Sequence, residues 1–295
     1  MFLNVHNPGK TKRVTRQVLF RAGRAHWFLP ARKPTRAALV TALVVGVIAT
    51  VAPANGAAGD IATGFVRAIR HFASNSRNGQ AFAGTPAVGA LFATSGGKLK
   101  QHFCTASVID SPHGDLVITA AHCATSMSGT IAFVPGYDGS TPPYGVWTVT
   151  KVYLDQAWKS SENPDDDVAF LRVSHQGSSV PIEDVTGADK LATGAPATRQ
   201  LVQVIGYPDS ANQPITCQNW LKEPMTDQLE FDCGAYTDGT SGGPFLADVD
   251  VTTGQGAVIG VIGGYKQGGD TPQVSYSAVL GTNVAALFKT AVAGG

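Results

Sequence analysis

The chain has 295 residues, 43% hydrophobic and 15% charged, with 34 Gly and 17 Pro; it is long enough for one or two packed cores and too turn-rich for a coiled coil or a disordered chain. Its formal net charge of +1 hides two unlike parts. Nine of the 22 Lys and Arg residues precede Asp60 and no acid does, so the body carries 13 basic against 21 acidic residues, a net of −8 that argues against nucleic-acid binding.

The basic residues of positions 10–36 lead into an uncharged apolar run at 37–52 (AALVTALVVGVIATVA), followed by PANGAAG with Ala52 and Ala54 in an A-x-A arrangement. A cationic start, a short apolar run and small residues make a secretory signal. The 16-residue run is shorter than the about 20 residues a spanning helix needs, and an uncleaved signal anchor is the competing reading. Residues 1–58 are therefore expected to be a signal region with a long basic start, cleaved on secretion, with the membrane met only through that segment. Residues 59–84 pass from a weakly helical apolar pattern to a polar, Gly-rich end, which reads first as a propeptide and second as a disordered arm.

From residue 85 the pattern changes to short strand-like runs between turn signals: VGALFAT, HFCTASVI, DLVITAAHC, TIAFV, GVWTVTKVYL, DVAFLRV, RQLVQVIGY, QLEFDC, PFLADV, AVIGVIGGY and SYSAVL. Such spacing, rich in β-branched and aromatic residues, predicts an all-β sandwich or barrel. Only residues 283–291 (NVAALFKTA) read as a helix, and the acidic, Gly/Pro-rich stretch at 183–196 reads as a seam between two β halves. In an exported chain Cys104, Cys123, Cys217 and Cys233 are expected in disulfides. They allow three pairings, of which the two adjacent ones would staple local loops of 19 and 16 residues. No C-x-x-C or H-x-x-x-H spacing supports zinc, and neither metal nor cofactor is expected.

The stretch TDGTSGGPFL, residues 237–246, surrounds Ser241 with glycines. A serine hydroxyl needs a base, a group to orient that base, and donors for the developing oxyanion. Gly239, Gly242 and Gly243 let backbone N–H groups turn inward where a Cβ would clash. The same letters fit the G-x-S-x-G nucleophile elbow, whose histidine follows the serine; here all seven histidines precede Ser241, so that reading fails. His122, at the end of LVITAAHC, has the most specific setting among them, while His102, His113 and His175 read as surface residues. In NPDDDVAFLRV, Asp165 and Asp166 are expected to face solvent and Asp167, abutting the apolar run, to be drawn inward beside a histidine; a solvated acidic turn and a calcium loop are the alternatives.

LVITAAHC, DDDVAFL and DGTSGGPF, in that order and with 45 residues between His122 and Asp167, resemble the three catalytic signatures of the chymotrypsin-like (trypsin-fold) serine peptidases. The likeness covers roughly residues 85–290 and is nearest to secreted bacterial, particularly actinobacterial, members. The resemblance implies two six-stranded antiparallel β-barrels with a short C-terminal helix, the first barrel at about 85–190 and the second at about 191–290. It further implies a cleft site with His122 as general base, Asp167 as its orienting carboxylate and Ser241 as nucleophile. The N–H groups of Gly239 and Ser241 would form the oxyanion hole, and a Cys104–Cys123 bridge would brace the strand behind His122. A monomeric endopeptidase acting on proteins or peptides is expected; a catalytically inactive binding or adhesion protein of the same fold, and an esterase with the same triad, are the alternatives.

The sequence departs from the family in two places. Thr240 stands where trypsin-like zymogens carry the aspartate that pairs with a freed N-terminus, so activation through that ion pair is not expected. Ala235 stands where trypsins have a carboxylate at the base of the specificity pocket, and no histidine follows His175 as in glutamate-specific relatives; small or apolar substrate side chains follow by elimination. Residues 261–265 (VIGGY) resemble the edge that pairs with substrate backbone, which makes Gly263, Gly264 and Tyr265 candidate binding residues, or else Gly263 and Gly264 are bulge glycines.

Overall fold

The computed structural model describes residues 77–126, 129–194, 199–225 and 227–294. The predicted signal region and residues 59–76 of the predicted propeptide lie outside these described residues. A two-residue strand, β1 (Gln80–Ala81), is followed by β2 (Val88–Ser95), β3 (Lys98–Ile109), β4 (Leu116–Thr119), β5 (Ile131–Pro135), β6 (Trp147–Leu154) and β7 (Ala169–His175). The last six close into a barrel in the order β2-β3-β4-β7-β6-β5, every pair antiparallel.

Apolar runs without polar interruption, such as LVIT and AFL, arise because these strands are buried on both faces. Side chains alternate across a strand. Val117, Leu171 and Val108 pack in one cluster with Leu91 and Phe133, whereas Ile118, Phe170 and Ile109 pack in another that reaches Ile205 and Tyr207 of the second half.

The second half holds β8 (Lys190–Leu191), β9 (Leu201–Gly206), β10 (Ile215–Trp220), β11 (Lys222–Met225), β12 (Gln228–Asp232), β13 (Pro244–Ala247), β14 (Ala257–Val261) and β15 (Val274–Ala278). They form a six-stranded sheet, β1-β10-β9-β13-β14-β8, and a three-stranded sheet, β11-β12-β15, around Val202, Val204, Phe231, Phe245 and Ile259. Two barrel-like halves of antiparallel strands are thus present as expected. Parallel pairing occurs where the chain passes between the halves, Asp189 bridging Ile109 and β8 running parallel to β14, and at the isolated bridge from Asn78 to Gly234.

Among the described residues four α-helices connect or close these sheets: α1 (Ala121–Thr125), α2 (Gln156–Ser161), α3 (Ile182–Thr186) and α4 (Thr282–Ala293). Helix α4 buries Val284, Leu287 and Ala291, sets Phe288 against Phe170 at 5.3 Å, and receives a hydrogen bond from Arg172 Nη2 at the Ala291 carbonyl. The two disulfides join Cys104 to Cys123 and Cys217 to Cys233.

The described part of the stretch expected as a propeptide or arm is a strand. Gln80 and Ala81 pair with Thr216 and Ile215 of β10, and Phe82 N–H donates to the Pro214 carbonyl at 3.1 Å. Gly79 N–H donates to the Gly234 carbonyl and Gly234 N–H to the Arg77 carbonyl, at 2.8 and 2.6 Å. Neither β1 nor β10 was marked by the apolar pattern, because QA is too short for a period and ITCQNW is polar at half its positions.

Asp189 lies buried where the chain leaves the first half. Its carboxylate accepts from Ser107 Oγ at 2.5 Å and from Gly256 N–H at 2.8 Å, which ties β3 to the approach to β14. Burial raises its pKa from 3.8 to about 6, against the lowering effect of those two hydrogen bonds. The folded protein therefore holds this proton more tightly than the unfolded chain, so stability is lost as pH rises from about 4 to 6, by on the order of 3 kcal/mol. Asp189→Asn keeps the shape and removes the titration. Its thermal midpoint is expected to gain on that of the wild type between pH 4.5 and 7; a gap of equal size at both pH values rejects this account.

Candidate active site

Strand β4 delivers His122. The run predicted as one strand, DLVITAAHC, breaks at Ala120, and α1 begins at Ala121, so the histidine sits in the first turn of a short helix. Ala120 and Ala121 are fully buried, and Cys123 is bonded to Cys104 of β3. Both thiols beside His122 are thus committed to a disulfide and offer no thiolate to a metal.

Asp167 follows a single 3-10 turn, η1 (Pro164–Asp166). Asp166 was expected to face solvent and is instead buried, because its carboxylate accepts from Asn163 Nδ2 and from Asn283 Nδ2 of α4, each at 2.7 Å. That anchoring fixes the turn from which Asp167 points inward. The buried Asp167 carboxylate accepts three hydrogen bonds: His122 N–H to Oδ1 at 2.8 Å, His122 Nδ1–H to Oδ2 at 2.7 Å and Gly264 N–H to Oδ2 at 2.8 Å. A carboxylate can only accept, so Nδ1 carries the ring proton and Nε2 presents its lone pair.

The serine loop arrives from the second half. Thr105 N–H donates to the Ser241 carbonyl at 2.7 Å. Gly242, at φ 81°, passes so close that a Cβ would lie 2.1 Å from Thr119 Oγ1 and 2.2 Å from the Thr105 carbonyl. Ser241 is half-buried beside that contact, next to the strand end that carries His122. The His122 ring has one hydrogen bond among the described residues, that to Asp167, and none joins it to the Ser241 hydroxyl.

Around the serine the backbone donors divide into two groups. Thr240 N–H donates to the Thr237 carbonyl, Gly242 N–H to the Ile262 carbonyl and Gly243 N–H to the Thr240 carbonyl, at 3.1, 2.7 and 2.9 Å. The N–H groups of Gly239 and Ser241 have no acceptor among the described residues. Gly239 adopts φ 91°, where a Cβ would lie 2.5 Å from Asp209 N and 2.6 Å from the Tyr207 carbonyl, so only glycine fits. Thr240 is buried and its hydroxyl donates to the Thr237 carbonyl at 2.7 Å, an internal contact at the position where an ion pair was not expected.

Beside the serine lies a cavity of about 260 Å³ whose walls include Tyr236, Thr237, Ile262, Thr271 and Ser275. Ala235, expected at its base, is exposed at φ 74° and lies outside the lining, because the left-handed turn there puts the wall one residue later. Residues 263–265, expected to pair with substrate backbone, have their own donors engaged within the protein. Gly263 N–H donates to the Tyr276 carbonyl, Gly264 N–H to Asp167, and Tyr265 N–H to Gln228 Oε1 at 2.9 Å. The chain then turns through Lys266 and Gln267, both at positive φ, and Gly264 is the residue of the three that bonds Asp167.

Two further histidines differ from expectation. His102 is buried, its Nε2 bonded to the Ala211 carbonyl at 3.1 Å and its ring packed on Phe92 and Tyr137; burial pushes its pKa down. His175 is half-buried against Trp147, and His113 is exposed as predicted. Thr105 and Gln228 had no signal in the sequence, since each is one of several polar residues in a strand-like run with nothing local to single it out.

A family model described as Trypsin matches residues 75–279. No curated protein matches the chain. Among solved structures, the protease Anisep from Arthrobacter nicotinovorans is 24% identical with a TM-score of 0.61, over 73% of this chain and 99% of that one. The thermostable serine protease AL20 from an extremophilic microorganism is 21% identical with a TM-score of 0.61, over 72% and 99%. A Glu endopeptidase is 18% identical with a TM-score of 0.55, over 75% and 94%. At these identities the likeness speaks for the fold.

Gly242→Ala places a Cβ against the Thr105 carbonyl, a backbone atom that cannot rotate away. The variant is expected to lose at least roughly 3 kcal/mol in denaturant unfolding, from overpacking together with a strained φ. Stability equal to the wild type would show that the two halves do not dock at this residue.

Proposed function

Because this chain belongs to the trypsin family of serine proteases, we propose that it is an exported endopeptidase that cleaves peptide bonds through an acyl-enzyme on Ser241. His122 Nε2 takes the hydroxyl proton as Ser241 attacks the carbonyl carbon, and returns it to the leaving amine. Asp167 holds the imidazole in the required tautomer and stabilises the imidazolium without taking the proton. The oxyanion is received by the N–H groups of Gly239 and Ser241, each worth roughly 3 to 4 kcal/mol of transition-state stabilisation. Water then deacylates Ser241 with His122 as base in the reverse sense.

The observation that carries this reading is the 2.7 Å contact from His122 to a buried carboxylate, beside a serine loop in which two backbone donors have no acceptor among the described residues. In unliganded enzymes the bond from nucleophile to base is often long and tightens in the substrate complex, so its absence here does not count against the pairing. Two disulfides fit an oxidising compartment and support export. The cavity beside Ser241 is placed to receive one substrate side chain, and its preference is read from cleavage products.

Fluorophosphonate labelling of the processed protein is expected to modify Ser241, and a peptide library to be cut by the wild type. Ser241→Ala is expected to remove the label and lower kcat by roughly 10⁶-fold. Folded, processed wild type that neither labels nor cleaves would mark the fold as a binding module without this chemistry.

A further inference from the structure

We propose that Thr105, on β3 of the first barrel, is the positioning residue that holds the 239–241 backbone in its oxyanion-receiving orientation. Thr105 is buried, and all of its polar atoms are engaged. Its hydroxyl donates to the Gly239 carbonyl at 3.0 Å and accepts from Tyr207 N–H at 2.9 Å. Its N–H donates to the Ser241 carbonyl at 2.7 Å, and its own carbonyl accepts from Thr119 Oγ1 at 2.7 Å.

A peptide group is planar, so fixing its carbonyl fixes the N–H on the opposite side. Four successive planes make up the loop. The Asp238 carbonyl accepts from Asp209 N–H at 2.8 Å, which sets the Gly239 N–H; the Thr240 carbonyl accepts from Gly243 N–H at 2.9 Å, which sets the Ser241 N–H. Both of those contacts lie within the second half. The two alternate planes have their N–H groups bonded within the second half, to the Thr237 and Ile262 carbonyls, and their carbonyls, those of Gly239 and Ser241, are held by Thr105 from the first half.

Gly239 is the pliant member of the loop, since it lacks a Cβ and sits at φ 91°. Without the threonine hydroxyl, its carbonyl and the Tyr207 N–H are both left buried and unpaired, and rotation at Gly239 is the available relief. The spacing between the two free N–H groups changes with that rotation. Thr105 also neighbours Cys104, which is bonded to Cys123 beside His122, so one strand registers the base against the oxyanion donors.

The inference rests on the serine peptidase reading, and steady-state kinetics of processed wild type, Thr105→Val and Thr105→Ser on an ester and on its thionoester analogue test it. Sulfur fits an oxyanion hole poorly, so the wild type should turn over the ester much faster than the thionoester. Thr105→Val is expected to lower kcat for the ester about 10- to 100-fold, the range of a weakened donor, with KM within about threefold. The ester-to-thionoester ratio is expected to shrink at the same time, and Thr105→Ser to restore both. An unchanged kcat in Thr105→Val, or a lowered kcat with an unchanged ratio, overturns the proposal while leaving the peptidase reading intact. Should Thr105→Val not fold, Thr105→Ala, which removes the hydroxyl within a smaller side chain, decides by the same ratio. A wild type inert toward both esters overturns this proposal together with the peptidase reading.

Discussion

The whole site depends on a carboxylate that water cannot reach. Burying the charge of Asp167 is costly unless it is paired and hydrogen-bonded, and here three N–H groups converge on it from two places, the start of α1 and the 264 position of the second half. Each of these contacts fixes something else. The His122 N–H bond sets where α1 begins, the Nδ1 bond sets the ring's tautomer, and the Gly264 bond draws a segment of the second half across the seam. Removing any one leaves a buried charge partly unsatisfied, so local folding of the three segments is mutually dependent. Gly263 is glycine for the same reason: a Cβ there would lie 2.9 Å from the Asp167 Oδ2 atom.

The junction between the halves is therefore polar at chosen points and apolar between them. Ile118, Phe170, Ile205 and Tyr207 supply the non-directional burial that brings the halves together. Burial of that kind tolerates sliding, and catalysis does not, because a shift of about 1 Å in reacting groups is felt strongly in rate. Directional contacts remove the freedom: Thr105 to the 239–241 loop, Ser107 and Gly256 on Asp189, and Gln101 Nε2 to the Asp209 carbonyl. Three of the residues involved, Gln101, Thr105 and Ser107, are on β3, which makes that strand the registering element of the fold.

What the sequence revealed and what it hid follow from the same physics. His122, Asp167 and Ser241 were legible because each stands against a pattern: a histidine closing an apolar strand, a carboxylate abutting one, a serine among glycines. The glycines at 239 and 242 were legible as donors' neighbours, though the reason for each is a specific close approach, to Asp209 and to Thr105, that only coordinates reveal. His102 and Asp166 misled because polarity of near neighbours along the chain was taken for solvent. The neighbours that bury them, Tyr137 and Asn283, are 35 and 117 positions away, and no local window contains them. Ala235 sits in a left-handed turn that sequence did not signal, and Tyr236, the next residue, is the one among the cavity's walls.

The segment at 263–265 shows how one stretch can be committed before any substrate arrives. Tyr265 N–H is taken by Gln228 Oε1, and the same carboxamide donates through Nε2 to Asp165 Oδ1 at 2.7 Å and to the Pro164 carbonyl at 3.3 Å. Gln228 thus spans from the turn that presents Asp167 to the segment that hydrogen-bonds it, closing a ring of contacts around the carboxylate. With the donors of residues 263, 264 and 265 all engaged, and the Gly264 carbonyl accepting from Gln267 N–H at 2.9 Å, this stretch is bound into the protein's own hydrogen-bond network.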